Sequence, residues 1–273
     1  MTGREVPQVA LVTGASSGIG RAAAQALAEA GFHVVGTSRN ATKAAPLDGV
    51  TFFDLDVTSD ESVAALTSRV IDEFGRIDVL VNNAGTGLAG AAEESSISQA
   101  QTVFDTNVFG TIRMTNAVLP HLRAQGSGRV INVSSILGLI PAPYMALYAA
   151  TKHAIEGYSE SIDHELREHA IRVLLVEPGY TSTAFESNSE WSDSPIPTYA
   201  GQRDVMRDVL TTAMRDADDP AVVAAVIVAA ATDAKPRQRY TAGSLAGRVS
   251  LLRRFVPRPA FDKQIRKVNR LAG

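Results

Sequence analysis

Tyr148 and Lys152 stand four residues apart in the run Tyr148-Ala149-Ala150-Thr151-Lys152. On a helix that spacing places the phenol and the ammonium on one face. A cation beside a phenol favours the phenolate and lowers its pKa from the usual ~10. A tyrosine tuned in this way can exchange a proton with an alcohol or carbonyl oxygen near neutral pH. Upstream, Ser135 lies in the run INVSSILG, and Asn82-Asn83-Ala84-Gly85 precedes it. Nearer the start of the chain, Thr13-Gly14-Ala15-Ser16-Ser17-Gly18-Ile19-Gly20 has the spacing G-x-x-x-G-x-G. Glycines there let the backbone turn tightly and let a pyrophosphate approach. The helix that follows meets the negative charge with free N–H groups and the positive end of its dipole. A serine cap, an asparagine turn or a tight connection would explain each segment singly. Their joint occurrence in this order points to chemistry.

These residues need elements to bring them together. Val9–Thr13, His33–Thr37, Val50–Leu55, Asp78–Val81, Arg129–Val133 and Arg172–Val176 read as strands, several of them nearly continuous apolar runs. Helices are expected near Gly18–Ala30, Asp60–Phe74, Ser98–Arg123 and Ala146–His169. The alternation predicts an α/β fold, a doubly wound Rossmann-type parallel sheet in a single domain spanning 1–273. Ligands of such sheets bind at the carboxyl ends of the strands. The glycine loop, the Asn82–Gly85 turn and Ser135 all follow strands and so reach that edge. Residues 180–203 form a long polar loop with Trp191, Pro195, Pro197 and Tyr199, and the expected lid extends to about 218. Two helices should follow residue 203, the second opening at Asp219 as N-cap with Pro220 at its first helical position, then a short strand near Arg239–Thr241.

The second strand runs into Ser38-Arg39. An Asp or Glu there would hold adenosine ribose hydroxyls and repel a 2′-phosphate. A neutral serine and a guanidinium suit the phosphate, and Ser17 offers another hydroxyl. The expected cofactor is therefore NADP(H) rather than NAD(H).

Composition narrows the field. The chain has 273 residues, 45% hydrophobic and 20% charged, which fits a globular domain with its own core and excludes disorder as its main state. The absence of cysteine excludes disulfides, thiolate metal sites, iron–sulfur clusters and a cysteine nucleophile. A net charge of −3 gives no general case for nucleic-acid binding, and the five histidines form no metal-binding motif. The run from Arg4 and Glu5 onward has no leader pattern, and the longest apolar run, Ala221–Ala231, is eleven residues, too short to span a bilayer. A cytoplasmic protein is the expectation.

The elements TGASSGIG at 13–20, Asp56 in DLDV, NNAG at 82–85, Asn107, Ser135, YAATK at 148–152 and Pro178-Gly179 resemble the short-chain dehydrogenase/reductase family, single-domain branch. TGASSGIG, Ser38-Arg39 and the lid length resemble its 17β-hydroxysteroid dehydrogenase-like reductases. The resemblance covers Val9 to about Gly179 closely and the remainder loosely. It implies hydride transfer between a nicotinamide and a carbonyl or secondary alcohol carbon, with no metal. Tyr148 would be the general acid/base. Lys152 would bind the nicotinamide ribose and lower the tyrosine pKa. Ser135, in preference to Ser134, would hold the substrate oxygen, and Asn107 would support a water-linked proton relay to Lys152. The cofactor set would comprise Thr13, Gly14, Ser16, Ser17, Gly18, Ile19, Gly20, Ser38, Arg39, Asp56, Val57, Asn83, Ala84, Gly85, Tyr148, Lys152, Pro178, Gly179, Thr181 and Thr183. Within it, Asp56 and Val57 would flank the adenine, and Asn83 would shape the floor. Pro178 and Gly179 would line the nicotinamide, with Thr181 near the carboxamide and Thr183 near the phosphates. The family usually has Val or Ile where Thr181 stands, so a backbone contact is the expectation there.

For substrate, the lid residues Phe185, Trp191 and Tyr199 face an expected opposite wall of Leu137, Leu139, Ile140, Pro141, Pro143 and Tyr144. An apolar ketone or alcohol fits; steroid, fatty-acyl, retinoid-like and polyketide carbonyls stay open. From Lys235 to Gly273 the chain carries a local balance of +10, leaving −13 on the rest. The basic tail, about 244–273, is expected to pack on the domain or on a neighbouring subunit of a homo-oligomer (dimer or tetramer), burying Leu251, Leu252, Phe255 and Val256. The alternative is a segment that touches anionic membrane. A nucleotide-binding regulator with a disused site is the rival function, opposed by the intact Asn107–Ser135–Tyr148–Lys152 set. A sugar-nucleotide epimerase or dehydratase is opposed by the glycine spacing.

Overall fold

The computed structural model describes residues 7–185 and 189–271; Arg4, Glu5 and lid positions 186–188 lie outside the described residues. The elements run in the order β1 (Val9–Val12), α1 (Gly18–Glu29), β2 (His33–Ser38), β3 (Val50–Asp54), α2 (Asp60–Phe74), β4 (Val79–Asn82), β5 (Leu88–Ala89), α3 (Ile97–Phe104) and α4 (Gly110–Gln125). There follow β6 (Gly128–Val133), α5 (Ala146–Leu166), β7 (Ile171–Pro178), β8 (Glu190–Trp191), α6 (Ala200–Arg215), α7 (Pro220–Thr232), β9 (Arg239–Ala242), α8 (Ser244–Phe255) and α9 (Arg258–Val268).

Seven strands form one sheet in the order β3-β2-β1-β4-β6-β7-β9, parallel throughout. This is the expected Rossmann-type α/β architecture in a single domain. The order reverses between β1 and β4, where ligands of open parallel sheets bind. Both faces are covered, which explains the nearly unbroken apolar strands. Ala10 and Val12 point into one layer with Leu27 of α1 and Val223 and Ile227 of α7. Val9 and Leu11 point into the other, with Val63 and Leu66 of α2, Met114 and Val118 of α4, and Leu166 of α5. The apolar run Ala221–Ala231 is thus the interior of α7, opened by Asp219, which accepts the Ala221 N–H at 2.8 Å, and by Pro220. Among the described residues no helix is long and apolar enough to cross a membrane.

Two expectations are corrected, and of a third, the basic tail, only the packing of its apolar side chains on their own domain is overturned. The helix expected over Ser98–Arg123 is broken by a π-turn at Asp105–Phe109 between α3 and α4. Its extra residue turns Asn107 inward, and Gly110 passes so close to Val57 that a Cβ would lie 2.8 Å from that side chain. The lid is not a free loop. β8 pairs with β5, the buried Glu94 accepts the Ile196 N–H at 2.7 Å and pairs with Arg203, and α6 begins at Ala200. The tail forms two helices that dock through Ala246 and Phe261, whereas Leu251, Leu252 and Phe255 are 60%, 48% and 71% exposed, and Val256 is half-buried. Helical periodicity explains this last result: the face of α8 that carries Ala246 and Arg253 meets the domain, and residues 251, 252 and 255 fall on the opposite one.

Candidate active site

The glycine loop is shaped by contacts with the Asn82–Gly85 turn. Asn83 and Ala84 both donate their N–H groups to the Thr13 hydroxyl at 2.9 Å. The Asn83 amide donates to the Thr13 and Gly14 carbonyls at 2.9 and 3.3 Å. Thr13 is 1% exposed, so it braces the loop and does not face a ligand, a correction to its place in the cofactor set. Gly14 and Gly18 have φ of +67° and +54°, which L side chains seldom adopt. At Gly20 a Cβ would strike the Gly14 carbonyl and the Asn83 amide. Ser17 is the N-cap of α1 with no side-chain capping bond, the first turn holds no acidic residue, and Ser16 and Ser17 are exposed. Half-buried Ile19 packs on the apolar core. A cradle of backbone amides, with glycines at its close approaches and no negative charge in the first turn, fits a dinucleotide pyrophosphate.

Thr183 lies over that cradle, since a Cβ on Gly18 would sit 3.2 Å from its side chain. Pro178 ends β7, and Gly179 N–H donates to Ala242 O at 3.3 Å. The Thr181 hydroxyl turns back to the Gly179 carbonyl at 3.3 Å and its backbone bridges to Asp218, so only its backbone is presented. At the adenosine end, Ser38 closes β2 with its hydroxyl accepting the Asn40 N–H, and Arg39 is exposed. Two Thr58 hydrogen bonds, then the charges of Arg39 and Arg113, hold the Asp56 carboxyl below its ordinary range. The Val57 side chain is buried in the core and leaves only its backbone to flank an adenine.

Asn107 joins this region to α5. Its amide donates to Thr86 O at 2.9 Å and to the Thr151 hydroxyl at 3.2 Å, and its Oδ1 accepts the Thr86 N–H at 2.8 Å. Its carbonyl accepts the Thr111 hydroxyl at 3.0 Å. Gly85 leaves room for the Asn107 side chain, which a Cβ would approach to 3.2 Å. Asn107 therefore meets α5 at Thr151, the residue before Lys152, and the Thr151 hydroxyl donates to the Tyr148 carbonyl at 2.7 Å.

Tyr148 and Ser135 come together as the spacing predicts. Ser135 follows β6, and its Oγ accepts the Leu137 N–H at 3.1 Å, which leaves its own proton to donate. Burial pushes the Tyr148 phenol above its ordinary range, and the hydrogen bond with Ser135 opposes this. The expected lowering by Lys152 is thus corrected. The Lys152 ammonium sits 5.7 Å from the Tyr148 ring centre and donates to the Val133 carbonyl at 2.9 Å. Burial is the dominant influence, and it favours the neutral phenol, which can donate a proton. Burial also lowers Lys152 to about 8, and Glu156 opposes that shift.

Of the three lid aromatics only Phe185 reaches the site, its ring centre 5.7 Å from that of Tyr148. Trp191 instead stacks under Arg207 at 4.5 Å. Tyr199 bonds Glu93 and meets Tyr144 edge-on at 6.4 Å, which ties lid to wall. Tyr144 has φ +62°, a strained position for a tyrosine, and its carbonyl accepts the Gly90 N–H at 2.8 Å.

Sequence reasoning missed three supports. Asn132 accepts from Asn82 at 2.9 Å and donates to Ser159 at 2.8 Å, bracing β4, β6 and α5 below Ser135. Thr151 holds Asn107. Glu156 stands one turn beyond Lys152; the same four-residue spacing that singled out Tyr148 and Lys152 could have found it.

Residues 8–193 match the short chain dehydrogenase family. The 3-ketodihydrosphingosine reductase of Bacteroides thetaiotaomicron is 43% identical over 187 residues, 68% of this chain and 69% of the relative. Retinol dehydrogenase 8 of Bos taurus is 37% identical over 255 residues, 86% of this chain and 81% of the relative. A solved short-chain dehydrogenase from Streptomyces avermitilis superposes with TM-score 0.80 at 36% identity, covering 98% of each chain. Further structural neighbours include one from Burkholderia cenocepacia in complex with NADP (TM-score 0.77, 27% identity, 95% of this chain and 97% of that one). Another, from Burkholderia phymatum, is in complex with NAD (TM-score 0.74, 25% identity, 95% and 92%).

Proposed function

Because this chain belongs to the short-chain dehydrogenase/reductase family, and so is an oxidoreductase using a nicotinamide cofactor, we propose that it is NADP(H)-dependent and acts on an apolar ketone or secondary alcohol. The observation that carries the reading is the buried Tyr148 phenol, brought beside Ser135 at the same sheet edge as the glycine cradle, with Lys152 one helical turn away.

When bound, the nicotinamide supplies or accepts the hydride. Gly14, Gly18, Gly20 and the N-terminus of α1 would take its pyrophosphate, with Thr183 over them. Ser38 and Arg39 would take the 2′-phosphate, and Asp56 and the Val57 backbone the adenine. Pro178, Gly179 and the Thr181 backbone would border the nicotinamide. The Ser135 hydroxyl holds the substrate oxygen. Tyr148, kept protonated by its burial, gives that oxygen a proton in reduction. Lys152 would hold the ribose, and its charge would stabilise the phenolate left behind. Asn107 anchors the proton path through Thr86 and Thr151.

NADP(H) is supported by a guanidinium at Arg39 and the lack of a carboxylate at Ser38. The apolar substrate is supported by Phe185 facing Tyr148, by Leu137 and Leu139 beside Ser135, and by two relatives named for a sphingolipid and a retinoid substrate. Lipid-like substrates partition into membranes, and we assign α8 a contact with an anionic lipid surface. Leu251, Leu252 and Phe255 form its apolar face, Arg248, Arg254 and Arg258 supply the cationic rim, and Arg253, on the face that meets the domain, reaches Leu139 at the substrate wall. The −13 on the remainder of the chain would orient that face toward the bilayer.

The test is oxidation of NADPH and of NADH against steroid, sphingoid, retinoid and polyketide-like ketones. Turnover of such ketones with NADPH preferred over NADH is the expected result. NADH preferred, or activity confined to small anionic carbonyls, would overturn the proposal.

A further inference from the structure

Behind Lys152 lies a charged cluster that the reaction described above does not use. Glu156, one turn further along α5, is 5% exposed, and Glu177 on β7 is 1% exposed. Arg239 of β9 pairs with Glu156 and donates to Glu177 at 2.6 Å and to Glu160 at 2.8 Å. Ser134 Oγ, Glu156 Oε1 and Glu177 Oε2 are buried without a hydrogen-bond partner among the described residues. Gly138 closes the cluster: a Cβ there would lie 2.7 Å from Ser134 Oγ and 3.0 Å from Glu156 Oε1. Three carboxylates thus share one guanidinium, and the nearest other cation along α5 is Lys152. Buried carboxylates are costly unless their charge is used or neutralised. Pinning β9 to α5 needs only one of them.

We propose that Glu156, clamped by Arg239, is a positioning residue for Lys152: its carboxylate keeps the ammonium charged and drawn toward the Val133 carbonyl, and so sets the upper pH limit of turnover. This inference rests on the reading of Lys152 as the group that stabilises the Tyr148 phenolate. The groups facing Glu156 are Lys152 and Glu160 from α5, Arg239 from β9, Glu177 from β7 and Ser134 after β6; Tyr148 lies beyond Lys152. Burial lowers Lys152 to about 8, and Glu156 is the charge that opposes this. Burial, with Glu177, raises Glu156 to about 7, and Arg239 and Ser134 oppose that. Near pH 8 the carboxylate is therefore mostly ionised. Removing it takes away the negative charge that favours the ammonium, so Lys152 must lose its proton at a lower pH.

The experiment compares wild type, Glu156→Gln, Glu156→Asp and Glu177→Gln. One readout is the pH profile of kcat for ketone reduction with NADPH. A second, on the cofactor-free protein, is the pH dependence of Lys152 acetylation by acetic anhydride, followed by mass spectrometry. Glu156→Gln is expected to move the alkaline limb and the acetylation midpoint down by about one pH unit, the lower end of what a close opposite charge produces. Glu156→Asp should restore most of the shift, and Glu177→Gln should leave both midpoints in place even if it lowers stability. Superimposable profiles for wild type and Glu156→Gln, or equal shifts in both Gln variants, would overturn the proposal and leave a structural clamp only. Should Glu156→Gln fail to fold, Glu156→Asp must still show a smaller downward shift, and an unmoved midpoint counts against the proposal. Lys152→Met separates the two readings: retained turnover there would remove the catalytic assignment itself, whatever Glu156 does.

Discussion

The carboxyl edge of the sheet and the α8–α9 tail treat their side chains in opposite ways. At the edge, polar groups are spent on one another: Thr13 accepts two backbone N–H groups, Asn107 is held by Thr86 and Thr151, and Asn82, Asn132 and Ser159 are linked between β4, β6 and α5. In the tail, Ala246 and Phe261 are the buried anchors, and the large apolar side chains of α8 face outward. A reaction centre needs its groups held in one geometry, so each is over-determined by neighbours. A segment that meets a surface needs only to present a face, and few anchors suffice. Apolar composition therefore means different things in two nearby helices. In α7, Val223 and Ile227 are core, whereas in α8, Leu251, Leu252 and Phe255 are available to a partner.

The largest effect should come from the edge. Tyr148→Phe removes one hydroxyl and leaves the ring, so folding and NADPH binding persist while kcat falls ~10²–10⁴-fold, the usual contribution of general acid–base catalysis. Near-normal turnover of the authentic substrate would break the first half of the comparison.

Next is the core beneath it. Ile227→Ala should cost about 2–5 kcal/mol in denaturant unfolding, because a fully buried side chain leaves a cavity. The same measurement on Leu252→Ala should change stability by less than about 0.5 kcal/mol, as expected for a surface position. Equal losses would mean that α8 is core and would erase the contrast.

A smaller, selective effect belongs to Arg39. A hydrogen bond to a charged group contributes about 1.5–3 kcal/mol, so Arg39→Ala should weaken NADPH roughly ten- to a hundredfold and leave NADH nearly unchanged in fluorescence titrations. Ser38→Asp should reverse the preference by like-charge repulsion. Equal losses for both cofactors would make Arg39 a structural residue.

The smallest effect on the fold should come from Leu251→Ser, Leu252→Ser and Phe255→Ser combined. Melting temperature should hold within a few degrees, while sedimentation with phosphatidylserine-containing vesicles is lost. Wild-type binding should fade as salt rises, since each basic residue near an anionic surface contributes about 1 kcal/mol that is screened. No binding by wild type, or loss of an oligomer in the variant, would give the face to a second copy of the chain.

Much of this was legible along the chain. The nearly continuous apolar strands and the Asp219 cap specify their elements locally, and α2 begins and ends where the pattern places it, between a Ser59 cap and Gly75. The glycine loop, Ser135, Tyr148 and Lys152 could be named because their spacing along strand ends and one helix face is itself the geometry. What depends on segments far apart was not legible. The π-turn that aims Asn107 inward exists because Thr86 and Thr151 offer partners there, and Gly110 makes room against Val57. Trp191 faces Arg207 and Phe185 faces Tyr148 because β8 pairs with β5, a contact that two-residue strands do not announce. The Tyr148 pKa moves up where its nearby lysine predicted down, because burial is a property of the packed whole and not of a residue four positions away. The burial of α7 and the exposure of α8 follow from the same cause: composition sets how apolar a helix is, and only its place against the sheet decides whether that surface meets protein or solvent.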